Sequence, residues 1–286
     1  MTTSLPTYSR AAVEAAATVI GVYSTSFGLA VRLLGPRPRP HIRTVYALVR
    51  IADEVVDGAA AEAGLDPADI RRVLDELEAE TLAALARGFS TNVVVHSFAR
   101  TARECGIGPD LVRPFFASMR TDLDVTAHDS ASHDSYVYGS AEVVGLMCLQ
   151  VFLNAGSTRP QQPAADLVTG ARRLGAAFQD INFLRDHAAD ADVLGRDYLG
   201  IDGRSVTRDD VLDRIEGDLA VANAVISSLP ADCRRAVSSA HDLFAELTQR
   251  LRRTSDPGVR VRVPGIAKAA IVARAAVAAG PRRVGA

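Results

Sequence analysis

The sequence predicts an all-α fold, a single-domain helical bundle, on three observations. Apolar residues recur at intervals of three and four through most of the chain, strand-like alternation is nearly absent, and Gly- and Pro-containing breaks cut the chain into helix-length pieces. The 286 residues exceed the usual domain size, yet no linker divides them, so one domain over residues 1–286 is expected, with residues 1–7 and 280–286 flexible.

A hydrophobic content of 48% with 23% charged residues and no Trp supplies an aliphatic core and excludes general disorder. A net charge of −2 gives no concentrated positive footprint, so no nucleic-acid partner is expected. Cys105, Cys148 and Cys233 are far apart and form no CxxC pair, which supports neither a disulfide framework nor a zinc site and fits a reducing cytosol. The first ten residues lack a basic segment followed by an apolar one, and the apolar stretch Val143–Phe152 is too short to span a bilayer, so a cytoplasmic protein without a transmembrane helix is expected.

In chain order, the break Gly35–Pro40 separates a first helical region from a second that runs through Tyr46 and Arg50 to Asp57. Asp66 followed by Pro67 reads as an N-cap with Pro in the first turn. Further breaks are expected at Gly106–Pro109, His128–Asp134, Ala155–Pro163, Leu199–Ser205, near Pro230 and at Asp256–Gly258, and Thr207 with Asp210 reads as a capping box opening another helix. The apolar stretch Ile266–Ala279, which carries Lys268 and Arg274, reads as a last bundle helix; the competing expectation is peripheral attachment at the inner face of a membrane. Basic residues outnumber the single acid, Asp256, from Arg250 onward, which suits an anionic ligand, a membrane surface or simply a solvated face.

Two segments carry the chemistry. In YALVRIADEVVD, Tyr46, Arg50, Asp53 or Glu54, and Asp57 fall on one helical face inside an apolar context. In QDINFLRDHAAD, Gln179, Asn182, Asp186 and Asp190 follow at intervals of three, four and four and likewise share a face. A lone Asp-x-x-x-Asp on a helix is ordinarily a solvated or salt-bridged surface. Two of them in one helical chain, with Tyr, Gln and Asn on the same faces, favour a functional reading, because facing helices that present carboxylates inward are how bundles build metal sites. Oxygen ligands without a His or Cys cluster select a hard cation, and Mg²⁺ takes one or two carboxylates together with substrate phosphates. Arg50 and Arg185, each beside a carboxylate cluster, suit the diphosphate oxygens the metal leaves free.

With these residues in view, the sequence resembles the phytoene synthase and squalene synthase family, in order along nearly the whole chain. STSF at 24–27, Arg43 with the YALVRIADEVVD segment, YVYGSAEVVG at 136–145, LGAAFQDINFLRDHAAD at 174–190, Gly195, Arg196 and Tyr198, and RVPGIAK at 262–268 carry the resemblance. It implies an all-α class I isoprenoid synthase fold with a central cavity, and two prenyl diphosphates joined head to head with two or three Mg²⁺ ions. It further implies that Asp53, Asp57, Asn182, Asp186 and Asp190 hold or orient the metal. Ser24, Ser26, Tyr46, Arg50, Gln179, Arg185, Arg262 and Lys268 would contact the diphosphates, and Arg43 and Arg196 would also bind substrate. Phe27, Tyr136, Ala141, Val144 and Gly145 would line the cavity for the prenyl chains, and Tyr198 would bind substrate. Nothing resembles the nicotinamide-binding additions of the reductive branch, so no nicotinamide cofactor is expected and condensation of two C20 diphosphates to phytoene is the first choice. Coupling of two C15 units, cyclisation of a single diphosphate on the same scaffold, and a non-catalytic assembly role are the competing expectations.

The sequence departs from the family pattern at Asp180, where Leu is usual, at Ser140 and Glu142 inside the Val-Ala-Gly segment, at Gly200 in place of Pro, and at Phe244 in place of Tyr. The six histidines are isolated and are left outside the expected site.

Overall fold

A computed structural model of the chain describes residues 4–24, 26–124, 129–194, 198–201 and 206–254, with Val261, Val263, Pro264 and Ile271 beyond them; of Ser26, Ser130 and 187–194 it describes the backbone alone. The described residues are helical without strands, in the order α1 Ser4–Tyr23, α2 Ser26–Leu33, α3 Arg39–Asp57, α4 Ala59–Glu62, α5 Pro67–Arg87, α6 Val93–Cys105, α7 Pro109–Asp124, α8 Ser130–Val137, a π-turn Tyr138–Glu142, α9 Val143–Asn154, α10 Ala165–Leu194, α11 Arg208–Ile226 and α12 Ala231–Arg253.

The punctuation works as the residue types dictate. Asp66 accepts from the backbone of Asp69 at 2.8 Å to open α5, and Thr207 and Asp210 close a reciprocal capping box at the start of α11. The break expected over His128–Asp134 is shorter than the sequence suggested. Asp129 and Ser132 form a second capping box, which satisfies the first free N–H groups and starts α8 at Ser130. Helix α1 begins at Ser4, inside the segment expected to be flexible, because the Tyr8 hydroxyl donates to the carbonyls of Ser90 and Thr91 at 2.9 and 3.0 Å. The stretch Ile266–Ala279 lies outside the described residues apart from Ile271, which is buried.

Helix α3 shows how one helix serves two purposes. Ile42, Val45, Leu48 and Ala52 form one stripe, fully buried with Phe98, Phe115 and Phe116 in the larger core of α1, α3, α6, α7 and α9. Each large apolar side chain so buried contributes about 2 kcal/mol. The adjoining stripe, Tyr46, Val49, Arg50, Asp53 and Asp57, faces a cavity, and Gly58 at φ +151° ends the helix directly after the last aspartate. A second core joins α8, α10, α11 and α12 through Ala177, Ile181, Leu212 and Ile215.

Between these cores the chain from α8 to α9 changes pitch. Val143 donates to Tyr138 five residues back, producing the π-turn. Helices α9 and α10 approach to backbone contact there: a Cβ on Gly175 would stand 2.6 Å from the Ala141 carbonyl, and one on Gly145 would overlap the Ala171 carbonyl. The continuous helical run Ala131–Asn154 is, by length and composition, apolar enough to cross a membrane, but 56% of its apolar window is buried inside this bundle and it carries the buried Glu142, so it is a core helix.

Candidate active site

The cavity encloses about 680 Å³ and is lined by α2, α3, α7, α8, the π-turn, α9, α10, α11 and α12. One end is apolar and deep, walled by buried Leu34, Leu149, Ile226, Leu229 and Val237. The other is polar and opens toward solvent, with Asp57 exposed and Arg50, Asp53, Arg185 and Asp186 half-buried. Such a chamber takes a long hydrocarbon at one end and an anionic head at the other.

Helix α3 supplies the first carboxylates. Burial, reinforced by the neighbouring Asp57 and opposed by Arg50, pushes Asp53 up to about 7. Helix α10 faces the same space with Phe178, Gln179, Asn182, Phe183, Arg185 and Asp186. Arg185 Nε donates to Asp186 Oδ1 at 3.0 Å, and its second nitrogen grips Oδ2. The Arg50 guanidinium lies 4.6 Å from the centre of the Tyr23 ring and pairs with Glu54, while its Nε is buried with no hydrogen-bond partner among the described residues. A buried cationic donor held over a cavity is suited to an oxyanion.

The expected residues divide into three groups. Phe27, Tyr46, Arg50, Asp53, Asp57, Tyr136, Ala141, Val144, Gly145, Gln179, Asn182, Arg185, Asp186 and Tyr198 all line the cavity. Ser24 and Arg43 do not: Ser24 accepts from the Gly28 amide at 3.1 Å and hydrogen-bonds Tyr46, whose ring stacks on Phe27 at 5.4 Å, so it orients the lining rather than forming it. The side chains of Ser26 and Asp190, and all of Arg196, Arg262 and Lys268, lie outside the described residues.

The residue that sequence reasoning missed is Asp122 on α7. It is buried, lines the cavity, and accepts from the Tyr136 hydroxyl at 2.8 and 3.0 Å and from the Tyr198 hydroxyl at 3.1 Å. Burial and this carboxylate hold the Tyr136 phenol far above its usual range, so it remains a proton donor. A signal existed: Phe115, Met119 and Asp122 follow at intervals of four and three, which places a carboxylate on the buried stripe of α7. Tyr136 therefore contributes a polar anchor and not only an apolar wall.

The departures from the family pattern resolve into two kinds. Glu142 and Asp180 point away from the chamber into ion pairs, Glu142 with Arg172 at 2.5 Å and Asp180 with Arg214 at 2.8 Å. Ser140 lines the chamber, and its Oγ has no hydrogen-bond partner among the described residues. Phe244 stacks on the cavity residue Phe178 with ring centres 3.8 Å apart.

Among the described residues no group of three or more His, Cys, Asp or Glu side chains forms a cluster able to hold a metal by itself. Carboxylates from two helices on one chamber, with Asn182 beside them, nevertheless fit a hard cation that draws its remaining ligands from a bound diphosphate and water.

An all-α bundle whose apolar chamber ends in carboxylates and arginines from two helices suits an anionic group carried on an apolar chain. Residues 20–203 match the family model described as squalene/phytoene synthase. A 15-cis-phytoene synthase of Paracoccus sp. is 30% identical over 267 residues, covering 84% of this chain and 82% of its own. A presqualene diphosphate synthase of Rhodopseudomonas palustris is 29% identical over 178 residues, covering 61% and 58%. In fold, the crystal structure of a dehydrosqualene synthase in complex with ligand superposes with a TM-score of 0.77 at 21% identity, over 94% of this chain and 97% of that one. The chain belongs to the squalene/phytoene synthase family of head-to-head prenyl diphosphate synthases and is an enzyme of this prenyltransferase type.

Proposed function

We propose that this protein, as a single domain in the cytoplasm, condenses two geranylgeranyl diphosphates head to head, through a cyclopropylcarbinyl diphosphate, to phytoene. The observation that carries the reading is that α3 and α10 deliver their carboxylates and arginines to one end of a deep apolar chamber. Asp53, Asp57, Asn182, Asp186 and Asp190 hold Mg²⁺. When bound, Mg²⁺ neutralises charge accumulating on the departing diphosphate.

The chain's own groups do the rest. Arg50 and Arg185 bind the diphosphate oxygens, with Gln179, Arg196, Arg262 and Lys268 as further contacts. The apolar wall excludes water from the allylic cation that ionisation leaves. Asp122, held by Tyr136 and Tyr198, places a negative charge in the chamber wall, where it stabilises a nearby cation. The 15-cis-phytoene synthase relative supports C20 substrates; the presqualene diphosphate synthase relative supports a second reading in which two C15 units are coupled.

Purified protein incubated with Mg²⁺ and C10, C15 or C20 diphosphates, with and without NADPH, tests this by mass analysis of the product. A C40 hydrocarbon from the C20 substrate without NADPH is expected. A C30 product moves the assignment to the second reading, and a C20 cyclic product overturns coupling.

A further inference from the structure

Behind the chamber, on the outer side of α10, three side chains from three helices meet: His133 of α8, Asp180 of α10 and Arg214 of α11. Arg214 Nε donates to Asp180 Oδ2 at 2.8 Å, and His133 Nε2 lies 3.1 Å from Asp180 Oδ1 and 3.2 Å from Arg214 Nη2. Asp180 is 2% exposed and His133 5%. The other ring nitrogen, His133 Nδ1, is 2.8 Å from the backbone carbonyl of Tyr198. A carbonyl can only accept, so Nδ1 carries the proton and donates. Tyr198 in turn stacks on Phe183 of α10 with ring centres 4.3 Å apart and donates its hydroxyl to Asp122 in the chamber wall.

We infer that His133, with Asp180 and Arg214, is a positioning clamp for the reaction: it pins the Tyr198 backbone so that the Tyr198 hydroxyl holds the Asp122 carboxylate in the chamber. The inference rests on the proposed role of this chamber. It gives a purpose to Asp180, where the family usually has Leu: a Leu there could not hold the Arg214 guanidinium that meets the His133 ring. Arg214, held by Asp180, donates to His133 Nε2 and fixes the ring from the side opposite Tyr198; the nearby Asp180 Oδ1 makes no hydrogen bond among the described residues. His133 touches no substrate; it acts through Tyr198.

The test compares His133→Gln with His133→Asn. The Asn amide can occupy the place of Nδ1 and keep the donor to the Tyr198 carbonyl, whereas the Gln amide extends to the place of Nε2 and leaves that carbonyl without its partner. His133→Gln is expected to lower kcat for diphosphate release about tenfold with KM changed less than about twofold, and His133→Asn to restore most of it. Amide exchange followed by mass spectrometry should show Tyr198–Ile201 exchanging faster in His133→Gln and as in wild type in His133→Asn. On a Tyr198→Phe background, His133→Gln should add little further loss. Equal exchange in the two variants, or losses in the double variant that multiply, overturn the clamp. Absence of diphosphate release by the wild type would instead defeat the proposed reaction, and the exchange experiment would still decide the clamp.

Discussion

The two sides of α10 bury acidic groups in opposite ways. On the chamber side the acids crowd: Asp53 is pushed up to about 7 by burial and by the nearby charges of Asp57 and Asp122. On the outer side each acid meets a cation, Glu142 with Arg172, Asp180 with Arg214 and Asp218 with Arg173 at 3.4 Å. Buried carboxylates are expensive unless compensated. The outer acids each have a cation from the chain, in full or in part, while Asp53, Asp57 and Asp122 gather on one chamber, where in the proposed reaction a metal and its diphosphate would complete the charge. The difference separates acids paired between helices from acids that face the chamber.

The largest expected effect breaks the inner layer. Asp53→Asn should reduce Mg²⁺-dependent diphosphate release by at least about a hundredfold, measured as inorganic product per enzyme. The same change should raise the melting temperature of metal-free protein at pH 8. A carboxylate whose folded value lies above its unfolded one weakens the fold as pH rises between the two, and Asn removes that cost.

Next comes the outer layer. Asp180→Ala leaves Arg214 without its counter-charge, which should cost about 3 kcal/mol in denaturant unfolding, whereas the double change Asp180→Leu with Arg214→Leu should come out near neutral. If the single change is silent, the layer does not hold the bundle. Gly145→Ala forces α9 and α10 apart where the added methyl meets the Ala171 carbonyl, at a cost of about 2 kcal/mol and with weaker binding of the longest substrate accepted.

The smallest effect is a pH slope. Burial, only partly offset by Arg173, raises Asp218 to about 6. Since the folded value exceeds the unfolded one, Asp218 makes stability fall as pH rises from about 4 to about 6. Asp218→Asn should flatten that part of the stability profile; an unchanged slope would show that the pair with Arg173 fully compensates the carboxylate.

Much of this was legible in the residue order, for local reasons. The caps at Asp66 and Thr207 depend on side chains reaching amides three residues away, and the site faces of α3 and α10 depend on helical spacing, so both can be read from the chain alone. Asp122 was visible as a polar residue on a buried stripe, but its meaning depended on Tyr136, fourteen positions away, and Tyr198, seventy-six away. Glu142 and Asp180 looked like disturbances of a pattern because their partners, Arg172 and Arg214, sit thirty and thirty-four residues off.

The sequence by itself determined the helical class, the helix caps and the two carboxylate faces, because each follows from spacing within one helix. Only the tertiary structure decided which acids share a chamber and which are neutralised behind it. That choice rests on which helices pack together, at the π-turn of Tyr138–Glu142 and the close contact of α9 with α10 at Gly145 and Gly175. Charge compensation in a bundle is a property of neighbouring helices, and no single helix encodes it.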